Sequence, residues 1–211
     1  MPKGSRGGKR GSSGGVVGGE GVPNEATEYY VSGEGMWINN YLRGRGDFGE
    51  LSESEREYLK DLDRATNGTL ADGTLYRIVD ASAVFGDMTA TEYENLVSRL
   101  VYGDNSRLVQ ASTDKFLNQS GKTVTEKGFM STTKDAAVAE EWGGFSGSDK
   151  PVVLEIKTKG TKGVDLSRYD KNVSADQAQR EVLLGRGQSY KIDNITARNG
   201  NVYVQVTMQK R

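Results

Sequence analysis

The stretch DQAQREVLLGRGQSYKI, Asp176 to Ile192, contains the pattern on which the fold prediction depends. Gln179 and Glu181 enter an apolar run, which a glycine-containing turn separates from a second short run ending at Ile192. The pattern predicts two strands, over 179–184 and 189–192, joined by a tight turn. Residues two apart in a strand share a face, so Gln179 and Glu181 should project together.

The composition predicts one folded domain preceded by an arm. The 211 residues suit a single domain. Residues 1–27 are rich in glycine and too poor in apolar side chains to offset the entropy lost on ordering, so we expect a disordered, basic Gly/Ser-rich arm over 1–27 and one domain over 28–211. With 28 basic and 29 acidic residues, the whole chain has no global field that would favour a polyanionic partner.

Two residue types are missing, and their absence narrows the chemistry. The chain has no histidine and no cysteine. This excludes Ser-His-Asp triads, histidine acid–base relays, disulfides and nearly every zinc site. We therefore expect no metal, and a reaction that depends on carboxylates, amides, hydroxyls and arginines. No apolar run approaches the roughly 20 residues that cross a bilayer, so no membrane partner is expected.

Helical patterns come first along the chain and strand patterns follow. A helix is predicted around Trp37–Leu42, a second after Ser52 with Glu55 in a capping box, and a third after Thr89 with Glu92 in a capping box. Strands are predicted over 75–79, 128–131, 151–157, 179–184, 189–192 and 202–208, with one helix over 133–142. This order predicts an α+β fold, with N-terminal helices packed on a mainly antiparallel β core of two sheets.

Three polar elements fall on strands that should bury their side chains. They are Arg77 in TLYRIVD, Ser131 and Thr132 in GFMSTT, and the Gln179–Glu181 pair in QREVLL. Each alone is typical of an ordinary structural feature: an outer-face arginine, a helix N-cap, or a solvated strand face.

In this order the three elements resemble the Arg–Ser–Glu class of mono-ADP-ribosyltransferases, which includes the clostridial Rho-directed exoenzymes and the enzymatic components of binary toxins. INNYLR resembles the family's cofactor-contacting helix, LYR its arginine strand, GFMSTT its serine strand, and QREVLL its catalytic glutamate strand in the Gln-x-Glu form. The similarity spans about residues 29–206. It implies the two-sheet ADP-ribosyltransferase fold and NAD⁺ as the substrate.

The resemblance assigns the roles in the predicted NAD⁺ site. Glu181 would hold the nicotinamide ribose and stabilise the positive charge that develops on it, with Ser131 fixing the glutamate rotamer. Arg77, with Asn39 and Arg43, would bind the diphosphate. The other implied cofactor-binding residues are Thr132 and Phe145, the latter packing on nicotinamide from the stretch WGGFSGS.

The chemistry of this bond explains why one carboxylate suffices. Nicotinamide leaves NAD⁺ as a neutral molecule and needs no proton, whereas ordinary glycoside hydrolysis needs a carboxylic acid as well as a second carboxylate. A site without histidine and with a single glutamate is therefore suited to this reaction.

The resemblance implies that Gln179 and Tyr169 contact the acceptor. Glutamine cannot act as a base, but its amide can pair with another amide or with a base edge. Three functions stay open: transfer of ADP-ribose to a host protein side chain, with asparagine as the candidate, transfer to guanine in DNA or RNA, or a non-enzymatic or virion-associated module. The first is preferred, for a monomer that acts in the cytosol of a target or host cell.

Overall fold

The chain begins, as far as it is described, with a compact set of helices. The computed structural model describes residues 21–45, 49–142, 147–167 and 180–210. Helix α1 spans Glu25–Tyr29, a π-helical turn spans Tyr30–Glu34, and α2 spans Gly35–Leu42. Asn24 caps α1 through a capping box with Thr27, and Ala26 and Thr27 are buried. The predicted boundary at residue 27 therefore falls inside a packed helix, because Asn24 caps this helix three residues earlier.

Two helix starts predicted from capping boxes are confirmed. Helix α3 spans Glu53–Ala65, with Ser52 and Glu55 in the reciprocal bonds of the box. The short helix α4 (Ser82–Phe85) precedes α5 (Ala90–Val101), which Thr89 and Glu92 cap in the same way. Side chains that satisfy the first backbone N–H groups fix a helix start locally, so these two starts could be read from the sequence.

Helix α6, Arg107–Leu117, was not predicted. Its buried residues are Val109, Thr113 and Phe116, so a hydroxyl occupies the middle of its inner face. Thr113 is fully buried because its Oγ1 donates to the Val109 carbonyl at 2.7 Å. The start also has no side-chain cap bond at Ser106. The two sequence signals of a helix, an apolar stripe at helical spacing and a capping residue, are therefore both weak in α6.

Eight strands are described. They are β1 (Gly73–Asp80), β2 (Thr123–Thr125), β3 (Met130–Thr133), β4 (Pro151–Thr158), β5 (Gly163–Asp165), β6 (Glu181–Leu184), β7 (Ser189–Arg198) and β8 (Asn201–Met208). Helix α7 (Ala136–Trp142) lies between β3 and β4. The strand order is β2-β7-β8-β4-β1-β3-β6-β5, and every described pairing is antiparallel except β4 with β8. The α+β prediction and its mainly antiparallel sheet are confirmed.

The sheet consists of two strand groups that meet at one point. Strands β3, β6 and β5 form the small group, and β1, β4, β8, β7 and β2 form the large group. The register between β1 and β3 is a single residue pair, Tyr76 with Thr133. The largest core cluster takes residues from both groups, among them Met130 and Val182 from the small group and Leu154 from the large. In hydrogen-bond order the strands form one continuous eight-stranded sheet, and a single core cluster spans both groups, so the separation into two sheets stays a prediction.

The N-terminal helices cover the outer face of the small group. A second core cluster joins Ile38 of α2 and Leu62 of α3 to Phe129 and Leu183 beside and within the small group. This packing brings α2 next to the edge at which the two strand groups meet. Among the described residues, no helix has the length and apolar content to span a bilayer.

Candidate active site

A buried carboxylate lies at the first residue of β6. Glu181 is only 9% exposed, and Ser131 of β3 donates a hydrogen bond from Oγ to its Oε1 at 2.7 Å. Glu181 is paired with Thr133 across the two strands, and Ser131 lies two residues from Thr133. The two side chains are thus diagonal neighbours on one face, within reach of a glutamate. A hydroxyl donor at this distance fixes the orientation of the carboxylate.

Arg77 lies on β1 in the large group, and its side chain lines the same cavity as Ser131 and Glu181. Strand alternation puts it on the face of Leu75 and Val79, which belong to or pack on the largest core cluster. Its Nη1 is shut off from solvent and has no hydrogen-bond partner among the described residues. Burial lowers the pKa of Arg77, while the Tyr30 and Glu126 side chains raise it. A buried guanidinium with an unmatched donor is suited to an anionic ligand.

Helix α2 supplies the wall that holds the serine strand. Asn39 is buried, its Oδ1 accepts from the Phe129 backbone N–H at 2.8 Å, and its Nδ2 donates to the Tyr30 hydroxyl at 2.7 Å. The Tyr30 hydroxyl in turn contacts Ser131, and burial raises its pKa. Because Ser131 donates to Glu181, the contacts of Asn39 with Tyr30 and of Tyr30 with Ser131 connect α2 to the carboxylate.

Two glycines allow this close packing. A Cβ on Gly35 would lie 2.6 Å from the Tyr30 ring, and one on Gly128 would lie 2.5 Å from Asn39 Oδ1. Neither position has room for a side chain. Gly35 and Gly128 are therefore required where the aromatic ring and the amide approach the backbone.

Arg43, one turn after Asn39, forms an ion pair on the edge of the site. Its Nε lies 2.9 Å from Glu126 Oε1, and the same oxygen accepts from the Gly128 backbone N–H at 2.9 Å. The Glu126 backbone is bonded to the turn between β6 and β7, through Gln188 and Gly187. This arrangement holds Arg43 in place at the edge of the site, where Arg77 lies as well.

These residues surround two adjoining cavities. The inner cavity, of about 470 Å³, is lined by Glu181, Ser131, Tyr30, Asn39 and Trp142 among others. The outer cavity, of about 600 Å³, is lined by Arg45, Asp80, Glu126 and Lys127 among others. Arg43, Arg77 and Ile78 line both. The site therefore has a carboxylate end and a cationic middle, which matches an elongated ligand with a sugar at one end and phosphates next to it.

One predicted cofactor residue does not reach these cavities. Thr132 lies between Ser131 and Thr133, so it points to the other face of β3, where it is fully buried and donates from Oγ1 to the Val182 carbonyl at 2.6 Å. The side chain of Thr132 thus supports strand pairing and does not line the site, because alternation along a strand reverses each successive side chain. Phe145, Gln179 and Tyr169 lie outside the described residues, so their predicted roles stay predictions.

Several lining residues were missed in the sequence, among them Tyr30, Trp142 and Glu126. Tyr30 precedes the helix predicted around Trp37–Leu42, and its inward direction depends on the π-helical turn. Trp142 ends α7 and Glu126 precedes β3, and both face the cavities only because of the tertiary packing. The sequence signal for Glu126 was its position, since it is an acidic residue two before the glycine of KGFMSTT. In the described ranges, no three His, Cys, Asp or Glu side chains are grouped as a metal site.

Comparison with known proteins identifies the class. Residues 23–210 match the family described as ADP-ribosyltransferase exoenzyme, and the chain belongs to this family. Among curated proteins, none has a matching sequence. The family and the fold define an NAD⁺-dependent mono-ADP-ribosyltransferase.

Solved structures of bacterial toxins share the fold. The structure of C3stau2 from S. aureus with NAD has a TM-score of 0.64 and 23% identity, covering 88% of this chain and 85% of that one. C3larvin toxin from Paenibacillus larvae has a TM-score of 0.57 and 25% identity, covering 88% and 86%. The ADP-ribosylating toxin BECa of C. perfringens, with NADH, has a TM-score of 0.61 and 20% identity, covering 87% and 42%. Two of these are complexes with NAD or NADH.

Proposed function

We propose that this transferase attaches one ADP-ribose to a side chain of a host protein, with asparagine as the candidate acceptor. The observation that carries the proposal is the 2.7 Å hydrogen bond from Ser131 to the buried Glu181 in a cavity that Arg77 also lines. The reaction needs two groups: a carboxylate fixed in this way, and a guanidinium such as that of Arg77, whose buried Nη1 has no partner within the described ranges.

The side chains of the site act electrostatically, by holding charged groups in fixed positions around NAD⁺. Bound NAD⁺ supplies a sugar–nicotinamide bond whose cleavage leaves positive charge on the ribose. Glu181 faces that charge with its ionised carboxylate, and Ser131 keeps the carboxylate oriented, so little reorganisation is needed during the reaction. Arg77 and Arg43 bind the diphosphate and hold the sugar at the carboxylate. Asn39 uses both ends of its amide on Tyr30 and Phe129, and it contributes mainly by placing the serine strand.

The residues that contact the acceptor are inferred from the sequence. Glu181 begins β6, and the positive φ of 46° at Arg180 turns the chain sharply just before it. Gln179 precedes this turn, and we propose that its amide pairs with an acceptor amide, with Tyr169 packing beside it. Phe145 would pack on nicotinamide. We further propose that the enzyme works as a monomer in the cytosol of a target cell.

Two alternatives are weaker. Transfer to guanine in nucleic acid would use the same NAD⁺ chemistry, with the basic arm as a tether. A non-enzymatic module would have no reason to keep the bonded Ser131–Glu181 pair beside Arg77. The geometry of the three residues therefore favours an active transferase.

The acceptor class is tested by labelling. The protein is incubated with NAD⁺ labelled in the adenylate and with a cell lysate, and the products are treated with protease or nuclease. We expect the label to be lost with protease and retained with nuclease. Retention with protease would instead support the guanine-directed alternative, and the absence of both labelling and nicotinamide release would support the non-enzymatic one.

The proposed role of Gln179 is tested by Gln179→Glu. A carboxylate at this position can orient a guanidinium but cannot donate to an amide, so we expect labelling of the normal acceptor to fall at least tenfold while NAD⁺ hydrolysis stays within twofold. Nicotinamide release and protein labelling are measured on the same sample. Loss of NAD⁺ hydrolysis in this variant would contradict the separation of the acceptor role from Glu181.

A further inference from the structure

Large exposed apolar side chains are concentrated beside the active site. In the described part of the chain they are Val22, Tyr29, Val31, Met36, Tyr102 and Leu108. Tyr29 is 49% exposed, Val31 38% and Met36 72%. We call Tyr29, Val31, Met36 and the half-buried Trp37 the rim patch. An exposed apolar group of this kind beside a functional cavity is typical of a surface that binds another molecule.

The π-helical turn explains why these side chains face solvent. Tyr30 points inward to Asn39, so its neighbours Tyr29 and Val31 are directed to the outside. Gly33, with φ of 107°, ends the turn in a conformation that a residue with a Cβ rarely adopts. The bond that positions Ser131 through Tyr30 therefore also fixes the outward direction of the rim patch.

The rim patch is continuous with the inner cavity. Val31 and Met36 line the mouth of the cavity that contains Glu181. On the other side, Tyr29 and Trp37 line a groove of about 380 Å³, which Tyr58 of α3 closes. The rings of Tyr29 and Tyr58 pack edge to face with centroids 5.4 Å apart. A partner whose acceptor side chain enters the cavity would therefore also cover aromatic surface next to it.

The charge around the rim patch selects the class of partner. From residue 21 to residue 42 the sequence has three glutamates and neither lysine nor arginine. Glu25 and Glu28 of α1 are exposed beside Tyr29. A nucleic acid would bring phosphates against this acidic, apolar rim, whereas binding of nucleic acids depends on lysine and arginine.

We infer that the rim patch docks a folded protein that carries the acceptor side chain, through an apolar contact flanked by basic residues of that protein. This inference rests on the proposed function and deepens it, because it selects a protein over a nucleic acid and assigns the surface that recognises it. Aromatic side chains next to the reacting group provide the contact area, and the glutamates provide complementary charge.

The inference is tested with Tyr29→Ser and the charge reversal Glu25→Lys/Glu28→Lys. Neither alters a residue that lines the inner or outer cavity. The matched control is Tyr102→Ser, since Tyr102 is 79% exposed and lies at the end of α5. Each protein is incubated with labelled NAD⁺ and a subsaturating amount of cell lysate, and protease-sensitive label and nicotinamide release without lysate are both measured.

We expect Tyr29→Ser and the charge reversal each to lower protease-sensitive labelling about tenfold, while Tyr102→Ser labels as the parent does. Nicotinamide release without lysate should stay within twofold in all of them. Labelling by Tyr29→Ser at the parent rate, or label that only nuclease removes, would overturn the inference and leave the NAD⁺ chemistry intact. A parent protein that releases no nicotinamide would instead overturn the proposed function, and this inference with it.

Discussion

The small and large strand groups hold the two halves of the active site in different ways. Ser131 and Glu181 both belong to the small group, on neighbouring strands whose register contains four residue pairs. Arg77 belongs to the large group, and the two groups are joined at the single pair Tyr76–Thr133. The carboxylate is thus positioned by local strand pairing, whereas the guanidinium is positioned by the packing of one group on the other.

This difference separates the chemical step from NAD⁺ binding. The Ser131–Glu181 bond depends on two adjacent strands and is also supported by Tyr30 of the π-helical turn and Asn39 of α2. The buried Nη1 of Arg77 has no partner in the part of the chain that the structure describes, and burying such a donor costs free energy of folding until a ligand binds it. We expect variants of the small group to affect the rate and variants of Arg77 to affect affinity and stability.

The largest effect is expected for Glu181→Gln. The amide keeps an oxygen that can accept from Ser131 but loses the negative charge, so nicotinamide release should fall by roughly 10²–10³ with an unchanged melting temperature. Ser131→Ala provides the graded comparison, because it leaves the charge and removes only the orienting bond, and it should cost about tenfold in kcat. Equal losses in the two variants would contradict the assignment of the charge to Glu181 alone.

An intermediate effect is expected for Arg77→Met. Loss of a charge-assisted hydrogen bond worth about 1.5–3 kcal/mol should raise KM for NAD⁺ roughly 10- to 100-fold. The free energy of unfolding should stay the same or rise, since the variant removes a buried charge whose Nη1 has no partner among the described residues.

The matched control for this prediction is Arg64→Met. Arg64 forms an ion pair with Asp61 on the surface of α3, and it lines neither of the two cavities of the site. It should change neither KM nor stability appreciably. A clear fall in stability in Arg77→Met would show that Arg77 supports the contact between the strand groups.

The smallest effect at neutral pH is expected for Tyr190→Phe. This variant tests how burial of Tyr190 in the largest core cluster contributes to stability. Burial raises the pKa of Tyr190 to about 12, and the Glu126 charge acts in the same direction while Arg77 opposes it. Because the pKa of Tyr190 is higher in the folded state, the neutral phenol contributes to the free energy of unfolding. This contribution is fully present below the ordinary tyrosine pKa of 10 and is lost as pH rises towards 12. At pH 11 the parent should have lost about 1.4 kcal/mol more than the variant, relative to pH 9.

Chemical denaturation at pH 9 and pH 11 measures this difference. Tyr102→Phe is the control, because Tyr102 is largely exposed and should behave as the parent does. Parallel pH profiles for the parent and Tyr190→Phe would show that Tyr190 ionises equally readily in the folded and unfolded chains.

Much of the fold and part of the site could be predicted from the sequence because their signals are local. The capping boxes at Ser52 and Thr89 fixed two helix starts, and the resemblance of INNYLR indicated Asn39 and Arg43, which both line the inner cavity. Thr132 was assigned to the cofactor although it faces the core, because a motif gives the order of residues but not the face that each one occupies.

The sequence alone indicated the class of chemistry, because its ordered arginine, serine and glutamate motifs resemble the Arg–Ser–Glu transferases and it has neither histidine nor cysteine. It also determined the strands on which these residues lie. Only the tertiary structure decided that Arg77 meets Glu181, that Tyr30 points inward and Tyr29 outward, and that Thr132 is excluded from the site. These outcomes depend on how separate elements pack, and contacts between residues distant in the chain have no counterpart in local propensity or spacing.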